Sequence, residues 1–263
     1  MTQSISRAIE LLRLVGSNAQ GKRLIDLQRE SGLTKPTVHR ILDTLRQHGF
    51  VAQDDDKRYT LGQEISVLGW SAGHQAYDLR ELCSDHMVEV AQRTGDTSFL
   101  SVRSGYDVIC LDRQSGSYPV KAFTIDVGNR RPLGVGAGGV ILLASLDEAE
   151  QEAVYEAIKH SLSAYHASTL AAIRQAVDKA RKARYALSNG FVLPEVRGLG
   201  VPIRDSQGRV VAALSLAAIK ERITPERLPE LLAVLQTHSS RIEQRIAAAG
   251  RKGNAPARRI IHS

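Results

Sequence analysis

Polar side chains cluster in the first turn of a helical segment near residue 34, and their chemistry suits contacts with nucleic acid. Arg40 can donate two hydrogen bonds to a guanine edge or hold a phosphate. Thr37 can bond a phosphate oxygen or contact the methyl group of thymine. Where a helix follows a tight turn in this way, its first residues are those that reach base edges in the major groove. The side chains expected on this surface are Thr34, Lys35, Pro36, Thr37, His39 and Arg40.

Three helices are predicted to position this surface. Apolar spacing predicts helices at residues 4–17 and 24–31, and Gly32 marks the tight turn after the second. Thr34 is the expected N-cap of the third helix, and Pro36 falls in its first turn, where a missing N–H costs nothing. The apolar face expected on the first helix consists of Ile5, Ala8, Ile9, Leu12 and Val15.

A hairpin is predicted directly after the third helix. Residues 50–53 and 58–61 have the composition of two short strands around an acidic turn, which is typical of a wing. Arg58 and Tyr59 lie on this wing and could hold the flanking DNA backbone. The alternative is a three-helix bundle with an ordinary solvated helix. The order of helix, turn, capped helix and hairpin favours a winged helix-turn-helix.

Composition narrows the class of protein further. The chain has 263 residues, 43% of them apolar, which allows a packed core in each of two domains. Cys83 and Cys110 are the only cysteines, so a disulfide framework is excluded and a reducing cytoplasm is expected. We expect no secretory signal and no membrane span, because the longest apolar run, residues 140–144, is far shorter than the ~18 residues needed. Much of the net charge of +7 lies in residues 241–263, so it is weak evidence for DNA binding.

The predicted organisation is a winged helix-turn-helix domain at residues 1–62, a connector helix at 63–80, a second domain at 81–249 and a disordered basic tail at 250–263. In the second domain several strands precede helices and a hairpin follows late, which indicates an α+β fold. The predicted strands are 97–103, 108–113, 120–126, 197–204 and 210–219. The predicted helices are 79–94, 139–144, 147–159, 169–183 and a last one from 228.

Gly134, Gly136 and Gly139 form a G-x-G-x-x-G pattern, which occurs in dinucleotide-binding loops. The context argues against such a site, because residues 128–132 interrupt the preceding strand and no acidic residue ends a second parallel strand about 20 residues on. The glycines can instead let backbone N–H groups approach a ligand at the start of a helix, where the helix dipole favours an anion. Close packing of a helix on a sheet is the alternative.

Three segments together resemble the IclR family of bacterial transcription regulators. They are SGLTKPTVHRILDTLRQHGFVAQDDDKRYTLG at 31–62, DVGNRRPLGVGAGGVILLA at 126–144 and VRGLGVPIRDSQGRVVAALSLAA at 196–218. The resemblance extends over nearly the whole chain. It implies a winged helix followed by a GAF-like effector-binding domain, and dimers that often pair into tetramers.

The resemblance also implies where an effector binds. In the family the polar end of the effector is held at the start of the helix that follows the glycines. The positions that correspond to this pocket are Ala137, Gly138, Gly198, Gly200, Ser215 and Ala217. Many members have His where this chain has Gly134, and Lys where it has Val140. The cations that could substitute toward a carboxylate effector are Arg113, Arg130 and Arg131, although arginines near a loop are usually solvated.

Other patterns give weaker signals. Cys83 and His86 stand three residues apart on a predicted helix, but two ligands are too few for a metal site, so we predict none. No Ser or Cys lies in a nucleophile elbow and no paired carboxylates stand out, so we predict no catalytic residue and no cofactor.

These patterns and the resemblance favour a transcription regulator that binds a DNA operator and a small-molecule effector, and that controls a catabolic operon for a small organic or aromatic acid. Excess apolar surface after the wing predicts a homodimer or homotetramer; its residues are Leu61, Ile65, Val67, Leu68 and Trp70. One alternative is an enzyme that acts on the small molecule in the second domain. Another is a DNA-binding protein that responds to no ligand.

Overall fold

A computed structural model describes residues 3–18, 20–71, 78–165 and 167–253 of the chain. The chain forms two compact units, Met1–Gln75 and Ala76–Ser263. The segment 63–80, expected as a connector helix, contains a helix at Gln63–Ser71, and the next helix begins at Leu79. Residues 72–77, including the predicted interruption at Gly73, lie outside the described residues. No helix in the described part of the chain is long and apolar enough to cross a membrane.

The first unit contains the three helices and the hairpin that the sequence predicts. Its elements are α1 (Gln3–Gly16), β1 (Lys22–Arg23), α2 (Leu24–Ser31), α3 (Lys35–Gln47), β2 (Val51–Gln53), β3 (Arg58–Leu61) and α4 (Gln63–Ser71). The strands form an antiparallel sheet in the order β1-β3-β2. The two residues of β1 were not predicted, because a pair of basic residues carries no strand pattern.

The core of the first unit lies where the three helices meet the wing. Its fully buried side chains include Leu11, Leu27 and Leu42. The apolar face predicted for α1 is wrong in part, because Ile5 and Ile9 are 60% and 45% exposed. Apolar residues extend around more of this helix than the core can cover, so one apolar strip stays on the surface.

The second unit is an antiparallel sheet between two layers of helices. Its helices are α5 (Leu79–Thr94), α6 (Gly136–Ala144), α7 (Glu148–Ile158), α8 (Leu170–Ala183) and α9 (Leu228–Gly253), with 3₁₀ turns at Leu162–Ala164 and Lys220–Arg222. Its strands are β4 (Thr97–Ser104), β5 (Asp107–Gln114), β6 (Arg130–Pro132), β7 (Ala186–Asn189), β8 (Val196–Arg204) and β9 (Val210–Ile219). The strand order is β6-β5-β4-β9-β8-β7.

Alternation along the central strands assigns each residue to one layer. Leu214 and Leu216 of β9 pack into the core that contains α5 and α9. Their neighbour Ala213 belongs to the core formed with α6, α7 and α8. Successive side chains of a strand point to opposite faces. Ser215 and Ala217 are therefore on the α6 face of the sheet.

Two predictions for the second unit need correction. Residues 120–126 are not a strand, because β6 takes the free edge of β5 and leaves this stretch as a loop. Pro119, just before the stretch, also lacks an N–H for pairing. The last helix runs to Gly253, four residues into the tail that was expected to be disordered from Gly250. Residues 254–263 lie outside the described part of the chain.

Candidate functional site

The start of α3 has the geometry expected of an exposed recognition helix. Gly32 ends α2 in the left-handed conformation, with φ 65°, and turns the chain toward α3. Thr34 is the N-cap residue and Pro36 lies in the first turn. The side-chain cap predicted for Thr34 is not formed. Its Oγ1 instead lies 2.9 Å from Oγ1 of Thr37, so the two hydroxyls hydrogen-bond to each other.

Cationic side chains surround this helix start. Lys35 and His39 are exposed and line a shallow depression together with Gln53 and Lys57 of the wing. Arg40 is exposed on the neighbouring flank, where it lines a second depression with Arg7 of α1. Among the described residues, none of these cations has a carboxylate within salt-bridge distance. This surface can meet phosphates without first breaking an ion pair.

The two predicted wing residues have different surroundings. Tyr59 is 6% exposed and packs in the core of the first unit, so its ring supports the wing from inside. Arg58 is half-buried, and its Nη1 donates to the carbonyl oxygen of Gly21 at 3.4 Å. Sequence analysis missed Lys57, which stands at the turn of the wing with φ 61°. Its position directly after three aspartates was the available signal.

The second unit has a small cavity where the start of α6 meets the sheet. Five of the six predicted effector positions line it: Ala137, Gly138, Gly198, Ser215 and Ala217. The sixth, Gly200, packs beneath α6, since a Cβ atom there would lie 3.1 Å from the backbone of Ala137. A Cβ on Gly198 would lie 3.1 Å from Cβ of Ala137. Both glycines therefore let α6 approach β8 closely.

The first turn of α6 supplies backbone donors. Its N-cap residue, Val135, has no side chain that could accept a hydrogen bond. The first amides of a helix have no partner within the helix, so those of Ala137 and Gly138 stay available to an acceptor. Gly136 precedes them with φ 78°, a conformation that favours glycine.

The sheet pairs antiparallel throughout its described strands, unlike the parallel sheet of a dinucleotide-binding fold.

Arg131 brings a guanidinium to the same place. It lines the cavity, and its Nη1 would lie 3.3 Å from a Cβ on Gly136. This Nη1 is buried, and no protein group accepts a hydrogen bond from it. Burial lowers the pKa of Arg131. Cys110 is a weak acid near Arg131. Burial raises the pKa of the Cys110 thiol to about 11, so the thiol is neutral near pH 7.

Other arginines near the cavity are already bonded. Arg197 donates to Asn189 Oδ1 at 3.1 Å and to the carbonyl oxygen of Ile223 at 2.9 Å. Arg113 donates to Asp126 Oδ1 at 2.6 Å. Arg130 donates to Ser104 Oγ at 3.2 Å. Among the candidates weighed from sequence, Arg131 is the one with a buried, unsatisfied donor facing the cavity.

The remaining cavity wall is apolar with a few hydroxyls. Phe99 and Phe191 provide apolar surface, and Ser101 and Ser215 provide hydroxyl groups near Gly138. The cavity volume is about 40 Å³. Apolar walls with a few convergent polar groups are typical of a small-molecule site.

Comparison with known proteins identifies both units. Residues 4–55 match the IclR helix-turn-helix domain, and residues 72–244 match the C-terminal domain of bacterial IclR transcriptional regulators. The regulator XynR of Escherichia coli K12 is 30% identical over 239 residues, which cover 89% of this chain and 93% of XynR. The regulator KdgR of the same strain is 27% identical over 241 residues, covering 91% of this chain and 90% of KdgR.

Solved structures have the same fold. An IclR regulator from Silicibacter sp. TM1040 has a TM-score of 0.73 and 27% identity, covering 92% of this chain and 96% of its own. An IclR homolog from Microbacterium hydrocarbonoxydans, complexed with 4-hydroxybenzoate, has a TM-score of 0.69 and 24% identity. The match covers 93% of this chain and 99% of the homolog. The chain therefore belongs to the IclR family of DNA-binding transcription regulators, with an N-terminal winged helix-turn-helix and a C-terminal GAF-like domain.

Proposed function

We propose that the effector of this regulator is a small organic acid whose carboxylate binds Arg131 and the amides of Ala137 and Gly138. The observation that carries the proposal is the buried Nη1 of Arg131, which has no acceptor from the protein. A buried cation without a partner is costly, and an anion removes that cost. The uncapped start of α6 adds two donors and the favourable end of a helix dipole.

The size and the walls of the cavity describe the rest of the effector. A cavity of about 40 Å³ favours a compact acid, and the ring of Phe99 offers an apolar surface against its carbon skeleton. The hydroxyls of Ser101 and Ser215 can bond a second polar group. The 4-hydroxybenzoate of the Microbacterium homolog is an acid of this general type.

The cavity favours binding over chemistry. Among the described residues that line it, the polar side chains are Ser, Thr and Arg, and none is a His, Cys, Lys, Asp or Glu. A general base or an activated nucleophile normally comes from that second group. We therefore expect the regulator to bind its effector without converting it to a product. This favours a regulator that binds its effector, which we propose controls a catabolic operon, over the alternative of an enzyme.

In this proposal residues 1–62 bind DNA in the cytoplasm, 81–249 bind the effector and 63–80 connect them. Two heads bind a pseudo-palindromic operator, since one winged helix buries little DNA surface. The exposed Ile5, Ile9 and Leu68 of the first unit offer apolar surface for a homodimer, which can pair into a tetramer. The proposed DNA contacts are Thr34, Lys35, Pro36, Thr37, His39, Arg40 and Arg58, with Tyr59 supporting the wing.

Calorimetry with matched ligands tests the effector. We expect small aliphatic and aromatic carboxylic acids to include a binder, and the amide or methyl ester of that acid to bind at least about tenfold more weakly, because the charged hydrogen bonds are lost. Ala137→Trp should block binding and leave DNA binding in gel shifts unchanged. Equal affinity for acid and amide would refute the carboxylate assignment. Steady conversion of the acid would restore the enzyme alternative.

A further inference from the structure

Two buried histidines face each other on the side of the sheet opposite the effector cavity. His86 of α5 is 5% exposed and His238 of α9 is 0% exposed. Their Nδ1 atoms are 3.1 Å apart, and their rings meet edge to face with centroids 5.3 Å apart. This contact joins the first and last helices of the second unit.

The contact between the rings leaves both imidazoles incompletely bonded. A neutral imidazole has one N–H donor and one lone pair. One hydrogen bond between two such rings uses one group from each and leaves one on each ring. In the structure the unused atoms are Nε2 of His86 and Nε2 of His238, which are both buried without a hydrogen-bond partner.

Glu89 supplies a third polar group at the same place. It follows His86 by three residues on α5, a spacing that puts both side chains on one face of a helix. Its Oε2 lies 3.9 Å from Nε2 of His238. The three side chains can each offer a ligand atom within 4.8 Å of the others. Glu89 is half exposed, so the cluster opens to solvent on that side.

We propose that His86, Glu89 and His238 form a binding site for a divalent transition-metal ion of the Zn²⁺ class. Zn²⁺ bonds to nitrogen and carboxylate oxygen are about 2.0–2.2 Å long, which puts two ligands of one tetrahedral ion about 3.3 Å apart. The two Nδ1 atoms, 3.1 Å apart, already have about this spacing, so they are the nitrogens that would bind the ion. A water molecule on the open side completes four-coordination. The ion ties α5 to α9.

The chemistry of the three groups selects the ion. Imidazole suits Zn²⁺, Ni²⁺ and Cu²⁺, whereas Mg²⁺ and Ca²⁺ prefer all-oxygen sites. Burial, as the largest cause, lowers the pKa of both His86 and His238. The charged groups that act on these rings are Asp85, Glu89, Arg93, Arg241 and Arg245. Arg245 lies 3.6 Å from Asp85, so its charge is partly offset.

Metal titration of the full chain, made without a histidine tag and treated with a chelator, tests the site. Zn²⁺ is added in a calorimeter, and Co²⁺ is added as an optical probe, because its visible absorption strengthens in four-coordinate sites. We expect one ion per chain at this site and a rise in the melting temperature on adding Zn²⁺. His238→Gln should abolish binding, but a fully buried substitution can also disturb packing.

Glu89→Gln separates the two effects, because Glu89 is half exposed and its loss does not open the core. We expect this variant to fold normally and to bind Zn²⁺ at least about tenfold more weakly. Glu81→Gln is the matched control, an exposed carboxylate on the same helix away from the two rings, and should bind as the wild type does. Arg131→Met should also retain metal binding, which separates this site from the effector cavity. Wild-type Zn²⁺ affinity in Glu89→Gln, or no saturable binding at one ion per chain, would overturn the proposal.

Discussion

Replacing Arg131 with Met should stabilise the protein and make it unresponsive to its effector. The substitution keeps an unbranched side chain of similar reach and removes the charge. In the wild type the Nη1 atom is buried with no acceptor from the protein. Burial lowers the pKa of Arg131, which means that folding disfavours the charged form at every pH below that pKa. Removing the charge therefore removes a cost of folding.

The expected magnitudes follow from the environment of this atom. An unsatisfied buried polar group costs about 1–3 kcal/mol, and the partial exposure of the rest of Arg131 places the value in the lower part of that range. A gain of about 1–2 kcal/mol raises the melting temperature of a unit of this size by about 2–8 °C. Effector binding should weaken by about 10- to 150-fold, because charged hydrogen bonds of about 1.5–3 kcal/mol are lost. Thermal denaturation of ligand-free protein and calorimetry measure the two effects.

Arg197→Met provides the control for stability. Its guanidinium also lines the cavity, but it donates to Asn189 and to the backbone of Ile223. Losing these bonds should destabilise the protein by about 1–3 kcal/mol, the opposite sign to Arg131→Met. A destabilised Arg131→Met protein that still binds the effector with wild-type affinity would show that Arg131 is a structural residue, and the reasoning above would be wrong.

Three further outcomes can be measured on the same protein. Arg40→Ala should cost about 1–3 kcal/mol of operator affinity and relax sequence specificity if Arg40 contacts a base. Lys57→Ala should weaken binding to all DNA sequences alike, and should reduce the slope of log affinity against log salt concentration in gel shifts by about one. Native Cys83 and Cys110 should not react with a thiol reagent at pH 8 until the protein unfolds, because burial raises their pKa values to about 12 and about 11; rapid labelling of the folded chain would contradict this. Ile9→Ser should shift the free protein toward monomer in light scattering, and an unchanged mass would move the contact elsewhere.

The DNA-binding head could be predicted from sequence because its signals are local. Gly32, Pro36 and the spacing of apolar residues on α3 each act within a few residues of where they stand. Apart from the unpredicted strand β1, the errors in this unit concern which side chains are buried. Tyr59 alternates with Arg58 along β3, and the strand turns the tyrosine into the core. For α1, the sequence did not indicate which of its apolar residues the core would bury.

The cavity depended on contacts between distant segments. Ala137 and Ser215 could be proposed only by resemblance, since they are 78 positions apart in the sequence. Arg131 could not be distinguished from Arg130 by composition. The short strand β6 makes the distinction, because its pairing with β5 turns consecutive side chains to opposite faces. Arg130 then reaches Ser104, and Arg131 reaches the cavity. His238 likewise meets His86 across 152 positions of sequence.

The same contacts indicate how an effector could be sensed. Arg131 belongs to a three-residue edge strand, and residues 133–135 connect that strand to α6. An anion between Arg131 and the α6 amides would bridge the edge of the sheet and the helix. A ligand shifts an equilibrium only by its differential affinity for the two states. The charge on Arg131 supplies that difference, since the arrangement that brings the guanidinium to the α6 amides is unfavourable without an anion and favourable with one. An uncharged isostere of the effector should therefore fill the cavity without shifting the equilibrium.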